Sequence, residues 1–147
     1  MRLGNVQVDV VEDGRFGLDG GAMFGIIPRP LWSRSNPPDG ANRIEMALRC
    51  LLIRDGERVI LIDNGMGDRW TERERQQFAL DRSIVPGLLD NLKRLGIQRH
   101  EITDMVFTHF HFDHNGGTVM PDGTLTFPGA VHHGSQINYD HALDPSP

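Results

Sequence analysis

Three histidines and an aspartate fall close together in this chain, as His109, His111, Asp113 and His114 in the order His-x-His-x-Asp-His. Imidazole and carboxylate donors together suit a cation of borderline hardness, Zn²⁺ first, with Mn²⁺ or Fe as alternatives. On a strand, side chains two apart share a face and lie about 6.6 Å apart along the backbone. His109 and His111 can therefore lean toward one ion, each placing a nitrogen about 2.1 Å from it. Adjacent residues point apart unless the chain turns. Asp113 and His114 are adjacent, and Asn115-Gly116-Gly117 follows them as a turn signal. A turn there could swing both toward a second ion beside the first. Paired ions of this kind lower the pKa of a shared water toward about 7 and polarise a carbonyl or phosphoryl oxygen. Clustered histidines can also be plain surface residues. Here they directly follow the apolar Met105-Val106-Phe107, and loops at strand ends are where layered α/β folds keep their reactive groups.

The elements that must position this segment are readable from periodicity. Val6, Val8 and Val10 alternate with polar residues and predict a half-buried strand. Gly14 to Gly40 reads as one long ordered loop, because it is rich in glycine and proline yet holds Phe16, Met23, Phe24, Ile26, Ile27, Leu31 and Trp32. Strands are expected over Ile44–Ile53 and Arg58–Ile62, joined at the hairpin signal Asp55-Gly56. Thr71 and Glu74 form a capping box at the start of a helix expected to run to about Leu80. Pro86 to Leu95 is a second helix, with Leu88, Leu89, Leu92 and Leu95 on one face and Gly96 as its stop. Met105–Phe107, Thr124–Phe127 and Ala130–His133 are expected as short strands, and Ser135–Leu143 as a helix. A hairpin followed by strand, helix and strand implies an α/β layered fold.

Composition narrows the partners. With 20 acidic and 15 basic residues the formal charge is -5, the wrong sign for nucleic acid or an anionic membrane. A small-molecule substrate is expected, with a homodimer as the assembly left open. Cys50 is the only cysteine, so no internal disulfide is possible; its apolar neighbours predict a buried strand thiol. The first residues carry no apolar stretch of the kind that directs export, so a cytoplasmic location is expected. No Gly-x-Ser-x-Gly elbow is present, and the glycines at Gly17, Gly20, Gly21 and Gly25 are not followed by a P-loop lysine.

Thr108 to Gly117 resembles the signature of the metallo-β-lactamase superfamily. Leu61-Ile62-Asp63-Asn64-Gly65 resembles the strand and turn that precede that signature. Phe127-Pro128-Gly129-Ala130 and the stretch from Gly21 to Trp32 are most similar to the lactonase and organophosphate-hydrolase-like branch. The resemblance implies an αββα four-layer sandwich of two similar halves, of which residues 1–147 match the N-terminal half only and are expected to be truncated. It implies His109 and His111 on one metal, and Asp113 and His114 on the other. Asp113 would also pass a proton to the leaving group. Asp63 would hydrogen-bond a ligand histidine from outside the coordination sphere; carboxylates so placed fix the imidazole tautomer. On the residues alone, the alternative is that Asp63 merely opens a turn with Asn64-Gly65.

The family's later ligands have no clear counterpart. His132, His133 and His141 are the remaining histidines downstream, and each reads better as a surface or strand residue; Asp140 and Asp144 read as helix-surface or cap residues. Asp144-Pro145-Ser146-Pro147 reads as mid-loop punctuation. A catalytic zinc usually takes three protein ligands plus water, and this segment offers about two per metal. Weak metal retention and little activity are therefore expected of these residues alone. The leading expectation is a metal-dependent hydrolase acting on a lactone, ester or phosphotriester, with Met23, Phe24, Ile26 and Trp32 as candidates for an apolar substrate pocket. The alternatives are a glyoxalase-II-like thioesterase or persulfide dioxygenase of the same superfamily, and an inactive half-domain or subunit with a partial metal site.

Overall fold

Strand pairing continues through glycines that carry no side chain to mark the period. The computed structural model describes residues 1–145, so Ser146 and Pro147 of the expected terminal loop lie outside them. A short β1 (Arg2–Leu3) turns into β2 (Val6–Asp19), which runs on past Gly14 and Gly17. It pairs with β3 (Arg43–Asp55) on both sides of a bulge between Glu12 and Gly14. The expected loop from Gly14 to Gly40 is thus corrected: Gly14 to Asp19 are strand. The rest holds two short helices, α1 (Gly20–Phe24) and α2 (Arg29–Trp32). Asp19 caps α1 by accepting the Ala22 N–H at 2.8 Å.

The hairpin and the helices follow their signals closely. Asp55-Gly56 closes β3 onto β4 (Arg58–Ile62), with Gly56 at φ 59. The Thr71–Glu74 capping box forms at the head of α3 (Glu72–Gln77), which stops before Leu80 because Ala79 takes φ 44. Then come α4 (Leu88–Arg94), β5 (Asp104–Val106), α5 (Phe112–Asn115), β6 (Val131–His133) and α6 (Gln136–Leu143). Thr124–Phe127 is not a strand. It makes one bridge, Val119 with Leu125, because the Asp122 carboxylate draws the Thr124 N–H and hydroxyl into a turn at 2.9 and 2.7 Å.

The six strands form one sheet in the order β1-β2-β3-β4-β5-β6. β4, β5 and β6 run parallel, and the other pairs are antiparallel. One face carries Val11, Cys50, Leu52, Leu61 and Met105, which pack with Leu88 and Leu92 of α4 and with Phe127. Burying each such side chain contributes about 1.5–3 kcal/mol. As expected, Cys50 is a buried free thiol; burial, then the charges of Asp13 and Asp63, push its pKa far above the usual cysteine value. The opposite face aligns two rows across the strands. One is Val10-Leu51-Ile62-Val106-His133 and the other Val8-Ile53-Ile60-Asp104-Val131. Val10 and Val131 stay 62% and 61% exposed.

Because β4 and β5 are parallel neighbours, their carboxyl ends emerge side by side. The Asp63 N–H continues the ladder to the Val106 carbonyl at 2.9 Å. Asp63 therefore arrives next to Thr108 and His109, at the end of the sheet where open α/β folds bind ligands.

Candidate metal centre

His109 and His111 lie on the extended loop between β5 and α5, not on the strand itself. The expected face-sharing by strand pleat is thus replaced by a bend of the loop, and the rings still meet edge to face with centroids 4.6 Å apart. His111 is the N-cap residue of α5, and its carbonyl accepts the His114 N–H at 3.0 Å. That single helical turn brings His114 back toward His109, their ring centroids 4.0 Å apart. Asp113 sits on the same turn, its Oδ2 3.5 Å from His114 Nε2. The turn expected at Asp113-His114 is therefore a helix turn, and Gly116 and Gly117 follow it. Gly117 lies so close to the backbone of Asn64 that a β-carbon there would collide with the Asn64 carbonyl oxygen.

Asp63 is the hub behind the rings. It is 7% exposed and takes φ 58. Its Oδ1 accepts the Thr108 N–H at 2.9 Å, and its Oδ2 accepts the Thr108 hydroxyl at 2.8 Å. Oδ2 also lies 2.8 Å from His114 Nδ1. With Nδ1 held by a carboxylate, Nε2 is the nitrogen that His114 presents outward. Thr108 Oγ1 also lies 3.1 Å from His109 Nδ1. Burial, then the neighbouring His114 and His111, hold the His109 pKa below the usual histidine value. A lowered pKa favours the neutral ring, the form that can donate a lone pair.

The donor set suits a divalent cation in its chemistry: three imidazoles with a carboxylate alongside, one of the imidazoles braced by a second carboxylate. The convergence is partial. Among the described residues no three His, Cys, Asp or Glu side chains are arranged so as to hold a metal ion. Asp113 Oδ2 faces His114 Nε2 at 3.5 Å rather than open space, whereas the bonds of Asp63 and Thr108 to the Nδ1 atoms of His114 and His109 engage neither Nε2 atom. The cluster brings the rings together without aiming all four side chains at a single point.

The remaining candidates lie apart from the cluster. Trp32 is 4% exposed and stacks on Phe24 at 5.2 Å, and the ring packs directly over Gly20. Met23 lines a groove of about 520 Å³ with Leu18, Ala22, Ala41 and Phe78. Phe78 in turn packs on Phe112, next to His111, with centroids 4.9 Å apart; Trp70 and Phe16 also meet Phe112. The Met23 groove is thus separated from the histidines by an aromatic cluster. His132 stacks on Phe107, His133 Nε2 lies 2.9 Å from Asp104 Oδ1, and His141, Asp140 and Asp144 are exposed at the chain's end. Thr108, Asn64 and Asp13 also shape the site; the sequence reading had the first two only inside family-like segments, with no role of their own, and did not single out Asp13. By residue type, Asn64 and Gly65 carried a turn signal.

The metallo-beta-lactamase superfamily profile matches residues 48–138. Among solved structures, a probable metal-dependent hydrolase from Staphylococcus aureus is 28% identical, with a TM-score of 0.90. The alignment covers 99% of this chain and 52% of that one. AidC, a dizinc quorum-quenching lactonase, is 29% identical with a TM-score of 0.76, over 99% of this chain and 47% of that one. Among curated proteins, the metallo-hydrolase mfmC of Annulohypoxylon moriforme is 26% identical over 108 residues, 67% of this chain and 28% of that protein. The chain thus spans about half the length of the solved structures it matches, and less of the curated relative. The match agrees with the α/β layering expected here: this chain's six-stranded sheet with its helices aligns over nearly its whole length.

Proposed function

The chain belongs to the metallo-beta-lactamase superfamily, and from that premise we propose that it supplies the His-rich metal-binding part of a metal-dependent hydrolase for a lactone, ester or phosphotriester. One observation carries this reading: the rings of His111 and His114 stand 4.6 and 4.0 Å from that of His109 at the carboxyl end of the sheet. The metal-dependent hydrolase among the similar structures supports the reaction class, and the lactonase supports a lactone as one substrate to try. Zn²⁺ is the proposed metal, and it would supply an acidified water and a Lewis acid.

The chain's own residues do the rest. His109 and His111 would hold one ion, and His114 and Asp113 the other. Asp63 fixes the orientation of His114 through Nδ1, and Thr108 ties the carboxylate of Asp63 to the histidine loop. Asp113, half-buried and beside the ligands, would carry a proton to the leaving oxygen as the ester bond breaks. The aromatic floor of Phe112, Trp70, Phe78 and Phe16 keeps water from beneath the loop.

A panel of lactone, phosphotriester and thioester substrates with the zinc-loaded protein tests this. The expected result is weak, chelator-sensitive turnover of a lactone or phosphotriester that Asp113→Asn removes. Turnover that survives chelation would overturn the reading. So would oxygen consumption by the iron-loaded protein in place of hydrolysis.

A further inference from the structure

Asp13 and Arg82 take no part in the chemistry above, yet they form the most heavily bonded buried ion pair in the described structure. Asp13 sits at the bulge of β2 and is 1% exposed. Its carboxylate accepts the N–H of Leu88 at 2.8 Å, of Met66 at 2.9 Å and of Gly67 at 3.4 Å. Arg82 Nη2 donates to both of its oxygens, at 3.0 and 2.9 Å. The same guanidinium donates to the Asp13 and Gly67 carbonyls and pairs with Asp68. Burial pushes the Asp13 carboxyl up, against the pull of Arg82 and the three N–H groups. All of these donors match the ionised form.

From the turn that Asp13 grips, a second set of bonds reaches the histidines. The Asn64 N–H donates to the His114 carbonyl at 2.8 Å. Asn64 Oδ1 accepts the Gly117 N–H at 2.9 Å, and Asn64 Nδ2 donates to Thr118 Oγ1 at 3.0 Å. Gly65 lies between the two sets at φ 70, where a β-carbon would collide with the Asp13 carboxylate. Residues 63–67 are therefore clamped by Asp13 and Arg82 at one end, and grip α5 and its following turn at the other. Asp63, which holds the His114 ring, stands on the same segment.

We infer that Asp13 and Arg82 are positioning residues for the metal-binding cluster: gripping the Asn64–Gly67 turn, they set where His114 and α5 sit. The functional meaning of this inference rests on the metal-binding reading, but the mechanical link is measurable with no metal present. A pair that only held the fold together would loosen every element alike when weakened. A positioning pair loosens the turn and α5 first.

The test compares Arg82→Lys, which keeps the charge and loses the fork, with Asp13→Asn, which keeps the shape and loses the charge. Amide hydrogen exchange is followed at Asn64 and Gly117, with Val131 on β6 and Ile53 on β3 as controls, and the visible spectrum of the Co²⁺-loaded protein is recorded. In Arg82→Lys, exchange at Asn64 and Gly117 is expected to rise roughly tenfold or more while the controls stay within about twofold. The Co²⁺ spectrum is expected to change in shape. Equal acceleration at all four amides, or none at Asn64 and Gly117, overturns the inference. If Asp13→Asn does not fold, Arg82→Lys alone decides. If the unaltered protein gives no Co²⁺ spectrum, the metal-binding reading fails while the exchange result still judges the link. If it gives one that both variants reproduce with unaltered exchange, the positioning inference alone fails.

Discussion

His114 is the histidine whose ring this protein controls most tightly, and Asp63 is the reason. Asp63→Asn keeps the side-chain shape but cannot accept from the Thr108 hydroxyl and the His114 ring as a carboxylate does. Zinc affinity is expected to fall about 10–100-fold, read by competition against a chelating indicator; an unchanged affinity would contradict the bracing role. His109 gives a second check. Burial and its two histidine neighbours hold its pKa below the usual value, so its imidazole resonances should titrate with a midpoint below about 6.5. The sign follows: folding releases protons here, so the stability from this group is fully present above about 6.5 and is lost as pH falls through the lower, folded value. A midpoint at or above the ordinary one would contradict this. At this scale the histidines and Asp113 were legible because type and spacing alone suggest their chemistry. The bracing roles of Thr108, Asn64 and Asp13 were not. Their hydrogen-bonding partners lie 45 to 75 residues away in the chain, and only the fold brings them together.

Among the elements, the sheet's packed face carries the stability and its parallel strands carry the site. Leu52 is fully buried between β2, β4 and α4. Leu52→Ala should cost about 2–5 kcal/mol in urea unfolding, and a loss under about 1 kcal/mol would contradict the packing. Asp104 ties β4 to β6: Arg58 first, then Thr103 and His133, hold its carboxyl well below the usual aspartate range. A lowered folded pKa gives stability that is present above about 3.9 and is lost as pH falls toward the folded value. Asp104→Asn should therefore lower the thermal midpoint at neutral pH and flatten its fall below pH ~4; an unaltered profile would contradict the tie. Strands with a polar alternation and the Thr71–Glu74 box were readable because local chemistry decides them. The strand through Gly14 and Gly17 was not, since glycine breaks the pattern while pairing with β3 restores it. The expected strand at Thr124–Phe127 failed for the opposite reason, a local Asp122 turn overriding β-propensity.

At the scale of the whole molecule, the aliphatic side chains of the two rows on the sheet's second face, Val8, Val10, Leu51, Ile53, Ile60 and Ile62 among them, belong to neither hydrophobic core cluster among the described residues. Contiguous apolar surface of this kind favours association. The chain should show concentration-dependent self-association in sedimentation experiments, reduced by Ile53→Glu, whose side chain lies mid-row; a monomer at every concentration would contradict this. No helix among the described residues is long and apolar enough to cross a membrane. The superfamily was legible from ten residues, Thr108 to Gly117, because they hold three histidines and an aspartate at close, fixed spacing before two glycines. The extent of convergence was not legible, since ring orientation depends on hydrogen bonds from Asp63 and Thr108. The most direct test of the central claim is a zinc titration of the 147-residue chain beside its His109→Ala/His111→Ala variant. Weak, reversible zinc uptake by the unaltered chain, abolished in the variant, is the predicted result. Identical titration curves for the two proteins would contradict it.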